Sequence, residues 1–368
     1  MKTLGSLTTK KSSFRQVIDG SLGTFMMIFW IGLFFIILWM PLINMFFPLL
    51  PSPESTEKRE LAQVPEFRWM TVKDYPQNFE CYFNDHFGGR NLLVRLNNYI
   101  HVKWFKVSPL KSVLVGKEGW LFYALDKGIN DYRGLAPFSH EHLETIRRNI
   151  LKQTTWLQEK RIPYLILIAP NKHTIYPEYL PNGITRVNRK TRLDQILEYL
   201  DGDEKAVLID VRKELTDAKR DRLVYLLTDT HWNSYGAFIA YQKTMGALSK
   251  SFPYSAPLAV SDFAVSVKPS QGLGDLAIML SLKGKLKDLE VNLEPKDDSA
   301  AQKKKIPKVV ILHDSFILSL KPFLEHHFDQ IVLQHWGERG FDYRLIEQEK
   351  PSVVIFQIAE RRLDALLK

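Results

Sequence analysis

VVILHDSFILSLKPFL, residues 309–324, decides the fold. Its first four residues are apolar without alternation, the pattern of a strand buried on both faces. The run passes straight into His313-Asp314-Ser315, and the apolar residues that follow recur at helical spacing. A serine on such a strand-to-helix turn projects its hydroxyl at the top of a sheet. It lies beside the free N–H groups of a helix N-terminus, which can hold the oxyanion formed when a serine attacks an ester.

The same texture recurs on either side. PYLILIAPNK (163–172), AVLIDV (206–211), QIVLQHW (330–336) and SVVIFQI (352–358) are short apolar runs. Residues 140–160, 186–200 and 234–249 carry helical patterns between them. Apolar strands alternating with amphipathic helices predict an α/β domain with a doubly wound, mostly parallel sheet. Its chemistry belongs beyond the carboxyl ends of the strands. VLVGKEGWLFY (113–123) has the composition of a hairpin, and residues 75–106 suggest helices broken at Gly88-Gly89. The charged stretch 283–308, with lysines at 303–305, reads as a solvated loop or insertion.

At the N-terminus, LGTFMMIFWIGLFFIILWMPLINMFF (22–47) contains no charged residue. About 20 residues at ~1.5 Å each cross a bilayer core, so this run suffices. Lys2, Lys10, Lys11 and Arg15 precede it, which places the N-terminus on the cytoplasmic side. Pro41 marks its kink or exit. The expected organisation is a cytoplasmic segment (1–21), a transmembrane signal anchor (22–47), a linker (48–65) and an exported domain (66–368). From the residues alone the exported domain is periplasmic or extracellular.

Composition narrows the chemistry. The net charge of +9 over 368 residues comes with no arginine-rich arm, so no nucleic-acid partner is expected. The single cysteine, Cys81, excludes an intramolecular disulfide and a Cys-based zinc site, and reads as a small residue in a partly buried segment. Ten histidines show no HExxH-type spacing, so neither a metal nor a cofactor is expected. His326, His327 and His335 read as surface or edge residues.

A serine nucleophile needs a base. LTDTHWNSYGAFIAYQ (227–242) places Asp229 and His231 two residues apart ahead of a helical pattern. In extended backbone, residues i and i+2 face the same way. Asp229 can then orient His231, and His231 can take the Ser315 proton. The competing reading makes Asp229 or Thr230 a helix cap and Ser315 another. Asn171, after the 163–170 run, is either an oxyanion-hole side chain or a turn residue. Trp232 either binds substrate, as a wall or a platform for a sugar, or belongs to the core. Trp120 and Trp336 read as packing, and Arg90 and Arg361 as ion-pair partners.

Several segments, in order, resemble one family. They are FNDHFGGRNLLVRLNN (83–98), VGKEGWLFY (115–123), APNKHTIYPEYLP (169–181), DTHWNSYGAFIAY (229–241), GDLA (274–277), HDSF (313–316) and PSVVIFQIAERRL (351–363). Together they are similar to the AlgX/AlgJ-type, SGNH-hydrolase-like alginate O-acetyltransferases over residues 60–365. The anchor and the absence of a C-terminal carbohydrate-binding module lean towards the AlgJ-like members. The resemblance implies an SGNH-like fold with permuted motif order, in which Asp229, His231 and Ser315 are the catalytic residues. It implies acetyl transfer through an acetyl-serine to a polysaccharide acceptor, with a membrane-bound O-acyltransferase as acetyl donor partner. It also implies a single-pass protein of the bacterial inner membrane with the exported domain in the periplasm. A carbohydrate acetyl-esterase with the same triad, or a non-catalytic polysaccharide-binding or scaffold subunit, are the alternatives.

Overall fold

The computed structural model describes residues 6–47, 49, 60–67, 73–202, 207–296, 304–337 and 339–368, with backbone alone over 6–22 and at 46. It divides into two compact units, Met1–Asn97 and Asn98–Lys368.

The first unit is led by α1 (Ser6–Phe46), within which Gly23–Met45 is long and apolar enough to cross a membrane. It fits a single-pass anchor or a signal peptide. Pro41 lies inside this helix rather than at its exit. Residues 60–65 of the expected linker have no regular structure, and most of 48–59 lies outside the described residues. α2 (Tyr75–His86) and α3 (Arg90–Ile100) follow, separated as expected at Gly88-Gly89. Gly89 has φ 79°, a left-handed conformation that glycine adopts without a Cβ clash. Cys81 corrects an expectation: α2 has no buried residue, and its thiol is free and exposed.

The second unit opens with a π-helical turn, His101–Phe105, and then the expected hairpin of β1 (Val113–Val115) and β2 (Leu121–Tyr123). α4 (Gly128–Tyr132) and α5 (His140–Glu159) lead to β3 (Tyr164–Ala169). α6 (Lys172–Ile175), α7 (Arg192–Tyr199), β4 (Leu208–Asp210) and α8 (Arg212–Ala218) follow. α7 is shorter than the expected 186–200, because Thr191 and Asp194 form a capping box that starts the helix there. Then come α9 (Ser234–Leu248), β5 (Phe263–Ser270), α10 (Asp275–Met279) and β6 (Asp288–Pro295). The chain finishes with β7 (Ile306–His313), α11 (Ile317–Leu324), β8 (Phe328–His335), α12 (Tyr343–Glu349), β9 (Val353–Ala359) and a 3₁₀ segment, Glu360–Leu367.

Five strands form one sheet in the order β4-β3-β9-β7-β8, and every neighbouring pair is parallel. The period of two along each strand divides the core. Leu165, Leu167, Val309, Ile311, Val353 and Ile355 face a cluster with residues of α9 and α11. Ile166, Ile168, Val310, Leu312, Val354 and Phe356 face a second cluster with residues of α5, α7 and α12. Helices therefore cover both faces, which is why these strands read as unbroken apolar runs. Each fully buried side chain of this size contributes about 1.5–3 kcal/mol.

Part of 283–308 departs from the loop expectation. Residues 288–295 form β6, paired antiparallel with β5. Val291 and Leu293 are buried while Glu290 and Glu294 are exposed, a two-residue alternation masked by the charges around it. Residues 297–303 lie outside the described residues.

Candidate active site

Ser315 stands exposed two residues beyond the end of β7. The turn that carries it is fixed by the buried Asp314. Its Oδ1 accepts hydrogen bonds from the Phe316 backbone N–H (3.0 Å) and Gln357 Nε2 (2.9 Å), and its Oδ2 accepts one from the Ala359 N–H (2.6 Å). The Asp314 N–H in turn donates to Gln357 Oε1 at 3.1 Å. The serine turn is thereby tied to β9, the central strand.

Ser315 Oγ lies 2.7 Å from His231 Nε2, and His231 Nδ1 lies 2.6 Å from Asp229 Oδ1. A carboxylate accepts only, so Nδ1 carries the proton towards Asp229, and the Nε2 lone pair faces the serine hydroxyl. Asp229 Oδ1 also accepts the His231 backbone N–H (2.8 Å), and Oδ2 accepts the Asp275 N–H (3.0 Å). Burial opposes the Asp229 charge, but the hydrogen bond and charge of His231 and these two backbone donors outweigh it. They hold the carboxyl at about 2.

Three charged side chains clamp the turn ahead of His231. Lys172 Nζ donates to the carbonyls of Leu226 (2.9 Å), Leu227 (2.9 Å) and Asp229 (2.6 Å). Burial pulls this lysine down to about 7, opposed by the carboxylates of Asp229, Asp288 and Asp275. Asp288, at the start of β6, accepts from the N–H groups of Leu227 (2.9 Å) and Thr228 (2.8 Å) and from Thr228 Oγ1 (2.5 Å). Asp275, at the start of α10, accepts from the Thr230 N–H (2.8 Å) and Thr230 Oγ1 (2.6 Å). Burial first, and the Asp229 charge second, push the Asp275 carboxyl up. Gly274 permits this approach: a Cβ there would lie 2.3 Å from the Thr228 carbonyl oxygen. Sequence reasoning passed over all three clamps. GDLA at 274–277 was a signal for Asp275, and Lys172 sits inside APNKH, but Asp288 was hidden in a stretch read as loop.

The helix-cap alternative does not describe these residues. Asn233, not Asp229 or Thr230, caps α9, its side chain accepting from the Gly236 N–H at 2.9 Å. No side chain caps α11.

Other expected site residues fare differently. Trp232 is 1% exposed and leaves no open face on which a sugar could stack. Its Nε1 donates to the Phe316 carbonyl at 3.1 Å, and its ring meets the Phe316 ring edge-on at 5.1 Å. Phe316 also meets the His231 ring at 4.8 Å, so Trp232 supports the site from within the core. Asn171 lies just past the carboxyl end of β3, buried, with its backbone N–H donating to Glu360 Oε2 at 2.8 Å. Glu360 follows β9, and its full burial pushes its carboxyl up to about 7. Arg361 makes no ion pair among the described residues. Its guanidinium instead lies over the rings of Tyr123 (5.3 Å) and Phe316 (5.4 Å). His327 is not a surface residue: it is buried, with Nε2 2.5 Å from Tyr241 Oη and Nδ1 3.0 Å from Ser255 Oγ. Trp120 and Trp336 are buried as expected.

Among the described residues, Asp229, His231 and Asp275 form a group able to approach a metal ion, their ligand atoms lying within 4.8 Å of one another. Both carboxylates already accept backbone donors, and the imidazole bridges Asp229 to Ser315. This donor and acceptor arrangement fits a proton relay.

Comparison with known proteins identifies the family of this fold. The family model described as an SGNH hydrolase-like domain, acetyltransferase AlgX, matches residues 113–358. The chain is 27% identical over 234 residues to a protein of Pseudomonas syringae pv. tomato described as a probable alginate O-acetylase AlgJ. That match covers 62% of this chain and 55% of the relative, so the chain spans little more than half of that protein's length. Among solved structures, Bacillus cereus PatB1 superposes with a TM-score of 0.50 at 17% identity, covering 70% of this chain and 98% of PatB1. The O-acetyltransferase domain of Pseudomonas putida AlgJ gives 0.45 at 20% identity, covering 70% and 93%. The matched segment holds the serine turn, the Asp-x-His turn and the five strands of the parallel sheet but for the last residue of β9, and the chain belongs to the AlgX-type acetyltransferase family of SGNH hydrolase-like domains.

Proposed function

We propose that the chain is an O-acetyltransferase that modifies an exported polysaccharide, alginate-like or another exopolysaccharide, through an acetyl-Ser315 intermediate. The observation that carries this reading is the unbroken hydrogen-bond chain from Ser315 Oγ through His231 to Asp229, at 2.7 and 2.6 Å. The family membership and the relative described as an alginate O-acetylase support acetyl chemistry on a polysaccharide.

In the first half-reaction, Ser315 Oγ attacks the acetyl carbonyl of the donor. His231 Nε2 takes the serine proton, and Asp229 stabilises the imidazolium. The Ser315 backbone N–H, which has no partner among the described residues, is a donor for the oxyanion, and the buried Asn171 side-chain amide, just past the carboxyl end of β3, is a second candidate. The bond from carbonyl carbon to donor oxygen breaks, and His231 returns the proton to the departing oxygen. In the second half-reaction a sugar hydroxyl gives its proton to Nε2 and bonds to the acetyl carbon. Ser315 Oγ leaves and is reprotonated.

On this reading α1 is a single-pass anchor in the bacterial inner membrane with the catalytic unit in the periplasm. A membrane-bound O-acyltransferase would deliver the acetyl group. The test uses the full chain in detergent with a chromogenic acetyl ester and an added oligosaccharide. The reading expects ester turnover and acetylated oligosaccharide from the wild type, and neither from folded Ser315→Ala or His231→Ala. Turnover that releases all of the acetyl group as acetate and leaves the oligosaccharide unmodified would favour the esterase alternative. Undiminished turnover in both folded variants would refute the triad.

A further inference from the structure

We propose that residues 101–107 form a seat on an anionic phospholipid surface, so that the second unit rests on the bilayer rather than hanging free of it. This is independent of the acetyl-transfer chemistry.

The π-helical turn His101–Phe105 ends at Lys106, whose φ of 56° is left-handed. A π turn inserts an extra residue into the helix and re-aims its side chains. Here Val102 is buried in a cluster with Val113, Val115 and Leu121 of the hairpin, while the aromatic residues beyond it point to solvent. Trp104 is 75% exposed, Phe105 64% and Val107 50%. The knob is thus rooted in a packed core yet leaves a contiguous run of large apolar side chains uncovered.

Lys103 and Lys106 interleave with these residues. Both line a cavity of about 470 Å³ that Lys117 also lines, with Glu118 the one acidic residue there. None of the three lysines makes an ion pair among the described residues. Tryptophan and phenylalanine beside unpaired lysines match the boundary between headgroups and acyl chains: the rings enter the apolar edge and the ammonium groups meet lipid phosphates. The three lysines favour an anionic surface over a neutral one. On the anchor reading of α1, a bilayer is always within reach, so even weak contacts at the knob are engaged as an intramolecular event.

The test keeps Trp104 and Phe105 in place. Cys81→Ser combined with Val107→Cys gives a full-length chain with one thiol, labelled with a polarity-sensitive bimane and reconstituted in lipid nanodiscs. In discs containing phosphatidylglycerol, the label should shift to the blue, be quenched by a nitroxide-bearing lipid and be shielded from aqueous iodide. In pure phosphatidylcholine discs the shielding should weaken. Adding Lys103→Glu and Lys106→Glu should abolish it, and Lys103→Gln with Lys106→Gln, which reverses no charge, should reduce it. A label equally open to iodide in both lipids, and unaffected by the lysine changes, would overturn the proposal. So would shielding produced by a soluble acidic oligosaccharide in detergent, which would make the knob a glycan surface.

Discussion

The Asp275 backbone N–H donates to Asp229 Oδ2 at 3.0 Å, while the Asp275 carboxylate holds Thr230, the residue between Asp229 and His231. The carboxylate bonded to His231 is therefore set from a second segment of chain, and on the proposed mechanism Asp275 matters without touching a substrate. Asp275→Asn keeps the backbone donor but leaves one oxygen to serve two Thr230 donors. We expect a stability loss of about 1–3 kcal/mol and a fall in kcat with little change in KM for a small ester. Denaturant titration and steady-state kinetics on the same preparation check this.

Asp229 is held at about 2, well below the ordinary 3.8. A depressed folded value contributes stability that is present above the unfolded value and lost as pH falls through the folded one. The stability difference between wild type and Asp229→Asn should therefore be constant above about pH 4 and shrink between there and about pH 2. The same substitution presents the wrong tautomer of His231 to Ser315, and kcat should fall by about 10⁴. Stability measured against pH, alongside ester turnover near neutrality, reads both effects.

Asp314 accepts three donors under the serine turn. Asp314→Ala strands the Phe316 and Ala359 N–H groups and the Gln357 amide in the core, each costing about 1–3 kcal/mol. We expect a loss of at least about 3 kcal/mol in unfolding free energy, and near-complete loss of turnover as Ser315 loses its orientation. Thermal and chemical denaturation of the purified variant measure the first, and ester kinetics the second.

Glu360 has its carboxyl raised from 4.5 to about 7 by complete burial. Between those values the folded chain holds a proton that the unfolded chain has released, so this group's contribution to stability falls as pH rises through the window. The full change is roughly 3 kcal/mol. Glu360→Gln should remove that fall, leaving the variant closer to wild type at pH 4 than its relative gain at pH 8. Paired denaturation curves at the two pH values test the sign.

Much of this architecture is legible in the chain. The runs at 163–172, 309–316 and 352–358 are legible because the strands within them are inner strands of the sheet, buried on both faces over most of their length, whereas 330–336 forms a half-exposed edge strand and still reads as one from its apolar Ile331-Val332-Leu333. Asp229, His231 and Ser315 could be picked because each lies at a turn next to a periodic segment, where a polar side chain has no packing duty. Trp232 could not be assigned, because a tryptophan in a site wall and one in the core look alike until a backbone carbonyl such as that of Phe316 is found for its N–H. Asp288, and the role of Asp275 within GDLA, were illegible for a related reason: their partners are backbone groups some tens of residues away, and such bonds leave no period in the sequence. Arg361 was read as an ion-pair partner from its charge, whereas aromatic faces, not carboxylates, surround it.

On the proposed mechanism Ser315 carries the acetyl group. The most direct measurement is intact-mass spectrometry of the full chain, quenched in acid after brief exposure to an activated acetyl ester, followed by peptide mapping. A single added acetyl group is expected on the peptide containing Ser315, absent from Ser315→Ala and chased off by an acceptor oligosaccharide in the wild type. Acetylation confined to lysines, or an identical adduct on Ser315→Ala, would contradict it.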